Sequence, residues 1–218
     1  MDFDSFVVAG NEQLVATLVT AGTAPQRHQQ VYLWGESGSG KTHLLSACCH
    51  RAAGEGLRVA YLPAEILLEV SSVAGLGDYD LVCVDDLQRL PGRADSEEAL
   101  FALINAARVG SAALLFAATQ KPDMLSLGLE DLRTRLAWSV VYRLHALDDA
   151  GLRAAVSAKA RYRGMVLSDD VLEYILRHYP RDMHSLTQLI RELDVFCLQH
   201  QRKPSIPALR ALGASQTS

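Results

Sequence analysis

Up to about residue 146, short continuous apolar runs alternate with longer segments whose apolar positions recur at helical spacing. Gln30 to Trp34 reads as a buried strand, and Lys41 to Arg51 as a helix. Val59 to Leu62 is a second strand, closed by Pro63, and Leu81 to Val84 a third, ending in Asp85 and Asp86. Glu97 to Arg108 is helical, with Leu100, Leu103, Ile104 and Ala107 on one face. Ala113 to Ala118 and Ser139 to Leu144 supply a fourth and a fifth strand. Strands that are apolar on both faces and set between helices predict a parallel sheet covered on both sides.

The pattern changes at Leu147-Asp148-Asp149, after which no strand is predicted. Asp149 to Arg163 reads as a helix stopped by Gly164, and Ser168 as the N-cap of a helix carrying Val171, Leu172, Ile175 and Leu176 that ends before Pro180. A longer helix runs from about Asp182 to Gln201, with Leu186, Leu189, Ile190, Leu193 and Cys197 on its apolar face. Pro204 and Pro207 open a short last helix, and Gly213 to Ser218 reads as a frayed tail. The expected fold class is therefore an α/β core with a five-stranded parallel sheet over residues 1–146, followed by a small all-α domain over 147–218.

Composition narrows the function. A chain of 218 residues that is 49% hydrophobic can bury the core this layout requires. Its formal net charge of -4 provides no general field for gathering nucleic acid. Cys48, Cys49, Cys83 and Cys197 form no C-x-x-C pair, and the first three lie in apolar runs, as buried reduced thiols do. The acidic start and the lack of a long apolar run give neither a secretory signal nor a membrane span, so a cytoplasmic protein is expected.

Gly35-Glu36-Ser37-Gly38-Ser39-Gly40-Lys41-Thr42 matches G-x-x-x-x-G-K-[ST] in full, between a predicted strand and a predicted helix. In that setting glycine lets backbone N–H groups close around phosphate oxygens, Lys41 places a charge at the β and γ phosphates, and the Thr42 hydroxyl can ligate Mg²⁺. A chance glycine-serine turn is the competing reading, and the flanking elements argue against it. Asp85 and Asp86 end a buried strand, as a Walker B pair does: Asp85 would hold the Mg²⁺ shell, and Asp86 would polarise or position an attacking water. Thr119, closing the fourth strand, is placed to touch a γ-phosphate or that water; alternatively it begins the loop before Pro122. Arg133 and Arg135 lie on a short predicted helix, as an arginine reaching a neighbour's γ-phosphate would, or as a solvated basic face would.

These residues resemble the AAA+ module of bacterial replication initiators of the DnaA type, and more closely the short initiator-related regulators of the Hda family. The resemblance spans nearly the whole chain. It rests on Phe3-Asp4-Ser5-Phe6-Val7-Val8 with Asn11, on Trp34 to Leu45, on Val84-Asp85-Asp86-Leu87, on Leu127 to Trp138, and on Tyr179-Pro180-Arg181-Asp182-Met183-His184-Ser185-Leu186. It implies an AAA+ P-loop core with a helical lid. Adenine nucleotide, ADP or ATP, would bind with Mg²⁺, and Arg135 would be the arginine finger. Phe6, Val7, Val8 and Asn11 would begin the adenine pocket, and His43 would follow the phosphate loop. It also implies a function: turning off the initiator by promoting hydrolysis of its bound ATP, together with the DNA-loaded sliding clamp.

Several departures qualify what is carried over. Family members have a clamp-binding peptide ahead of the Phe-Asp-x-Phe segment, whereas here Phe3 is already in that segment, so clamp binding is in doubt. Leu125-Ser126-Leu127-Gly128-Leu129 faintly resembles such a peptide but is expected to be structural. His184 stands where the family has its sensor 2 arginine, with Arg181 one turn earlier as a substitute, which opens the choice between ADP and ATP. Thr119 replaces an acidic residue. No helix-turn-helix segment follows the lid, so sequence-specific DNA binding by this chain alone is not expected. Asp86 is one methylene shorter than a catalytic glutamate, which predicts weak hydrolysis of the chain's own ATP. A self-sufficient ATPase acting as helicase loader or remodeller is the alternative, a nucleotide-gated binding module a third, and finger-to-pocket homo-oligomers are open to all three.

Overall fold

The structure is a computed structural model that describes residues 2–3, 6–69 and 73–215. It divides into two compact units, Met1–Ala146 and Leu147–Ser218. The first holds helices α1 (Glu12–Thr23), α2 (Lys41–Gly54), α3 (Ala94–Val109) and α4 (Glu130–Ala137). With them are strands β1 (Gln30–Trp34), β2 (Val59–Pro63), β3 (Leu81–Asp85), β4 (Ala113–Ala118) and β5 (Val140–Arg143). The second holds α5 (Asp149–Tyr162), α6 (Asp169–His178), α7 (Met183–Gln199) and α8 (Ile206–Ser215).

The strands form one sheet in the order β2-β3-β4-β1-β5, and every neighbouring pair is parallel. β4 therefore lies between the strand that enters the glycine loop and the strand that ends in the acidic pair. Alternation along the strands divides the core into two layers. Val31, Leu33, Leu81, Cys83, Ala113 and Leu115 face Leu14 and Leu18 of α1 and Leu44, Leu45 and Cys48 of α2. Tyr32, Val82, Val84, Leu114 and Phe116 face Leu100, Leu103 and Ile104 of α3 and Leu132 and Leu136 of α4. With both faces covered, the central strands are apolar throughout, and every residue of β3 and β4 is buried.

The sequence reading assigns nothing to α1. Val15, Thr17, Val19, Thr20 and Thr23 restrict χ1 and weaken helix propensity. The fold overrides this by burying Leu14, Leu18 and Ala21 against α2. Three threonine hydroxyls are satisfied by carbonyls one turn back: Thr17 on Gln13, Thr20 on Ala16 and Thr23 on Val19.

The second unit packs its helices around Leu152, Val156, Val171, Ile175, Leu186, Ile190, Leu193 and Leu209. Its caps are specific. Asp148 accepts from the Gly151 amide and Asp182 from the Ser185 amide, both at 2.8 Å. Ser168 takes the N-cap position of α6, but its side chain makes no capping bond; Asp169 and Asp170 supply negative charge to that first turn instead. Gly213 lies inside α8 rather than in a frayed tail, and 216–218 fall outside the described residues. All four cysteines are buried and free.

One buried carboxylate fixes the start of α4. Glu97 of α3 is 2% exposed, and its Oε2 accepts from the amide of Leu129, the N-cap residue of α4, at 2.8 Å. Glu97→Ala is expected to leave that amide unsatisfied and to destabilise the first unit by about 1–3 kcal/mol in urea denaturation.

Candidate functional site

The carboxyl ends of β1 and β3 bring the glycine loop and the acidic pair together. Gly35 follows β1 so closely under Leu144 that a Cβ would lie 2.5 Å from the Leu144 carbonyl oxygen. Glu36 and Ser37 are exposed, and Gly38 and Gly40 have φ of 76° and 106°, which lets the loop turn sharply before α2 begins at Lys41. Gly40 is also confined from outside: a Cβ there would lie 2.9 Å from the Phe6 ring. Ser39 is 8% exposed, and its Oγ has no hydrogen-bond partner among the described residues. An unsatisfied buried hydroxyl beside the N-terminus of α2 suits an incoming anion.

Lys41 is 6% exposed, and its Nζ donates to the carbonyls of Gly35 and Glu36, both at 2.8 Å. Burial pushes the ammonium pKa down, and the nearby Asp85 and Asp86 carboxylates oppose the shift. The lysine is thus held by its own loop, and a phosphate would replace two carbonyls as its partner.

Asp85 is 1% exposed and well supplied with donors. Its Oδ2 accepts from the Thr42 hydroxyl at 2.6 Å and from the Tyr61 hydroxyl at 2.8 Å, and its Oδ1 accepts from the Asp86 amide at 2.8 Å. Because Thr42 donates to the carboxylate, its oxygen lone pairs are left for a cation. A hard, all-oxygen pair of this kind fits Mg²⁺, and Thr42 and Asp85 are the residues that would hold it. Among the described residues no cluster of three or more His, Cys, Asp or Glu side chains forms a separate metal site.

Asp86 takes the left-handed conformation, φ 59° and ψ 42°. Strain of this kind at a non-glycine residue collects at functional sites. Its Oδ1 accepts from the Gln88 Nε2 at 2.7 Å, and its Oδ2 lies 3.9 Å from the Arg89 Nε. The Gln88 Oε1 in turn accepts from the Thr119 amide at 3.1 Å. One glutamine side chain therefore links the second acid to the end of β4, and Asp86 is held by its neighbours rather than free.

The remaining sequence-predicted residues divide. Phe6 covers Gly40, and its ring is 5.7 Å from that of His43, whose Nε2 is 2.8 Å from the Asp2 carbonyl oxygen. Val7 and Val8 are half-buried beside them. Asn11 is buried, and its amide serves the backbone: Nδ2 donates to the carbonyls of Ala9 and His145, and Oδ1 accepts from the His145 amide. It brackets the start of α1 to the chain leaving β5. In the second unit, Arg181 precedes the N-cap of α7, so the helical spacing expected between Arg181 and His184 does not exist. Arg181 instead donates to Asp149 at 2.8 Å and to the Leu176 carbonyl. His184 falls in the first turn of α7, and its side chain lies outside the described residues.

α4 separates its two arginines. Arg133 is exposed and paired with Glu130. Arg135 lies over the Trp138 ring at 4.6 Å and 6.0 Å from the Phe101 centroid, with Nη1 buried and without a hydrogen-bond partner among the described residues. Arg108 also lies over Trp138, at 4.9 Å. The sequence reading missed Tyr61 and Gln88. Gln88 carried a local signal, two residues after the acidic pair. Tyr61 carried none, because its contact crosses from β2 to β3.

Residues 1–143 match the family model described as bacterial DnaA ATPase domain, and residues 148–212 that described as Hda, lid domain. Among solved structures, domain III of the Thermotoga maritima replication initiation protein DnaA superposes with a TM-score of 0.86 at 21% identity, covering 97% of this chain and 94% of that one. AMPPCP-bound DnaA from Aquifex aeolicus gives 0.71 at 19%, covering 87% and 62%. The Thermotoga maritima RuvB Holliday junction branch migration motor gives 0.71 at 16%, covering 97% and 70%. These likenesses carry the AAA+ fold. Among the described residues no helix is long and apolar enough to cross a membrane. The phosphate loop, the acidic strand end, the inserted β4 and the two family matches lead to one conclusion: the chain belongs to the DnaA ATPase family, as an Hda-type relative of the bacterial replication initiator.

Proposed function

We propose that this protein is a cytoplasmic negative regulator of replication initiation. It binds ADP or ATP with Mg²⁺ in the Gly35–Thr42 loop, and it promotes hydrolysis of ATP bound to a DnaA-type initiator by supplying Arg135. The observation that carries this reading is the placement of Arg135 on α4 of a DnaA-type core joined to an Hda-type lid. Its guanidinium rests on an aromatic ring without a carboxylate partner among its described contacts. Leaving that perch for a phosphate costs a contact of about 0.5–2 kcal/mol, far less than an oxyanion returns. The sliding clamp is the expected co-factor of the reaction. Leu125, Leu127 and Leu129 pack on the core, which disfavours that segment as the clamp contact.

The alternative, a self-sufficient ATPase, is weakened by Asp86. A short carboxylate already engaged by Gln88 and facing Arg89 is a poor positioner of water. Thr119, through its amide, is part of the same restraint.

The deciding experiment measures hydrolysis of initiator-bound ATP, with clamp loaded on DNA, with and without this protein. Arg135→Ala is expected to keep nucleotide binding and to lose about 10³-fold or more of the stimulation, the range that arginine fingers contribute; full stimulation by that variant would remove Arg135 from the mechanism. Lys41→Ala is expected to weaken ADP binding about 10- to 100-fold in calorimetry, because the loop loses its side-chain cation. Unchanged affinity would place the nucleotide elsewhere.

A further inference from the structure

Tyr61 stands on β2, outside the phosphate loop and the acidic pair, yet its hydroxyl donates to the same Asp85 oxygen that Thr42 holds. Parallel pairing sets Tyr61 opposite Cys83 and Pro63 opposite Asp85, so the phenol reaches forward along the sheet to the end of the adjacent strand. Its ring packs on the core layer that includes Leu45, Cys49 and Cys83 of α2 and β3. Facing a carboxylate oxygen, the phenol O–H is the donor of the pair.

The consequences follow from counting lone pairs. A carboxylate oxygen accepts well at two sites, and on Oδ2 both are filled, by Thr42 and by Tyr61. On Oδ1 one is filled by the Asp86 amide. Three donors from three places fix the rotation of the carboxylate. They leave a single acceptor site on Oδ1 for the water shell of a cation, and they orient Thr42 so that its lone pairs face away from Asp85.

We propose that Tyr61 is a positioning residue of the cation subsite: its hydroxyl locks the Asp85 carboxylate in the rotation at which Thr42 and the Asp85 shell hold Mg²⁺ beside a bound nucleotide. The inference rests on the nucleotide reading of the site and deepens it. It assigns Tyr61 no contact with nucleotide and none with the cation.

Tyr61→Phe removes one oxygen and keeps the ring that packs the core. ADP and AMPPCP affinities are measured by calorimetry on the full chain, in Mg²⁺ and in EDTA. The expected result is unchanged affinity in EDTA and an about 5- to 20-fold loss of the tightening that Mg²⁺ confers, the scale of one charge-assisted hydrogen bond converted to preorganisation. In an Asp85→Asn background the same Tyr61→Phe change is expected to have an effect below about twofold, because the carboxylate it positions is gone. Equal loss in Mg²⁺ and EDTA would make Tyr61 merely structural and overturn the proposal, as would a Mg²⁺ response identical to that of the unmodified chain. If the unmodified chain binds nucleotide with no Mg²⁺ response, the cation subsite itself falls and Tyr61 with it. If it binds no nucleotide, the nucleotide reading fails first, and that outcome is visible before any variant is made.

Discussion

The Asp85 carboxylate is the point on which the phosphate end of the molecule depends. Buried at the end of β3, an ionised carboxylate is tolerated only where donors replace its water. It takes them from α2 through Thr42, from β2 through Tyr61, and from its own chain through the Asp86 amide. Since α2 begins at Lys41, the hold on Thr42 also fixes where the glycine loop ends. Lys41 completes the arrangement from the other side, its ammonium held by the loop's carbonyls. A phosphate arriving here would therefore exchange partners at preformed groups. Its net strength would be a difference between strong interactions.

The sheet is readable from the sequence because its strands are short apolar runs set between helical segments, fully buried in β3 and β4. The reading of Gln30–Trp34 and Ala113–Ala118 matches to the residue, β2 and β3 run one position further to Pro63 and Asp85, and β5 is one residue shorter at each end than Ser139 to Leu144. α1 was not readable, because its stability lies in contacts of Leu14 and Leu18 with α2 while its local composition favours extended chain. The site shows the same division. Gly35 to Thr42 and Asp85–Asp86 are contiguous motifs whose chemistry is local. Tyr61 acts across strands, and Arg181 lies before the Asp182 N-cap of α7, so it points into an ion pair with Asp149 instead of sharing a helix face with His184.

Glu97 illustrates how far in sequence from a side chain its placement can be set. Arg135 sits on a helix of eight residues, too short to hold its own position by backbone hydrogen bonds alone. Its direction is fixed at one end by Leu132 and Leu136 buried against the sheet, and at the other by the bond from the Leu129 amide to Glu97, 32 residues away in sequence. The ion pair of Arg133 with Glu130 lies on the solvated side and adds little. The chain thus spends a buried carboxylate on the register of α4, a costly device unless the orientation of that helix matters.

At the tip of α4 the balance is different. The Arg135 guanidinium has a ring beneath it, but Nη1 is removed from water without an acceptor among the described residues. A desolvated donor with no partner raises the energy of the resting conformation. The neighbouring Arg108, drawn to the same ring, places a second positive charge on Trp138 and raises it further. An anionic oxygen arriving at this surface would supply the missing acceptor and separate the two cations. In the role proposed for Arg135, the helix would set its aim and the unsatisfied guanidinium would favour leaving its perch.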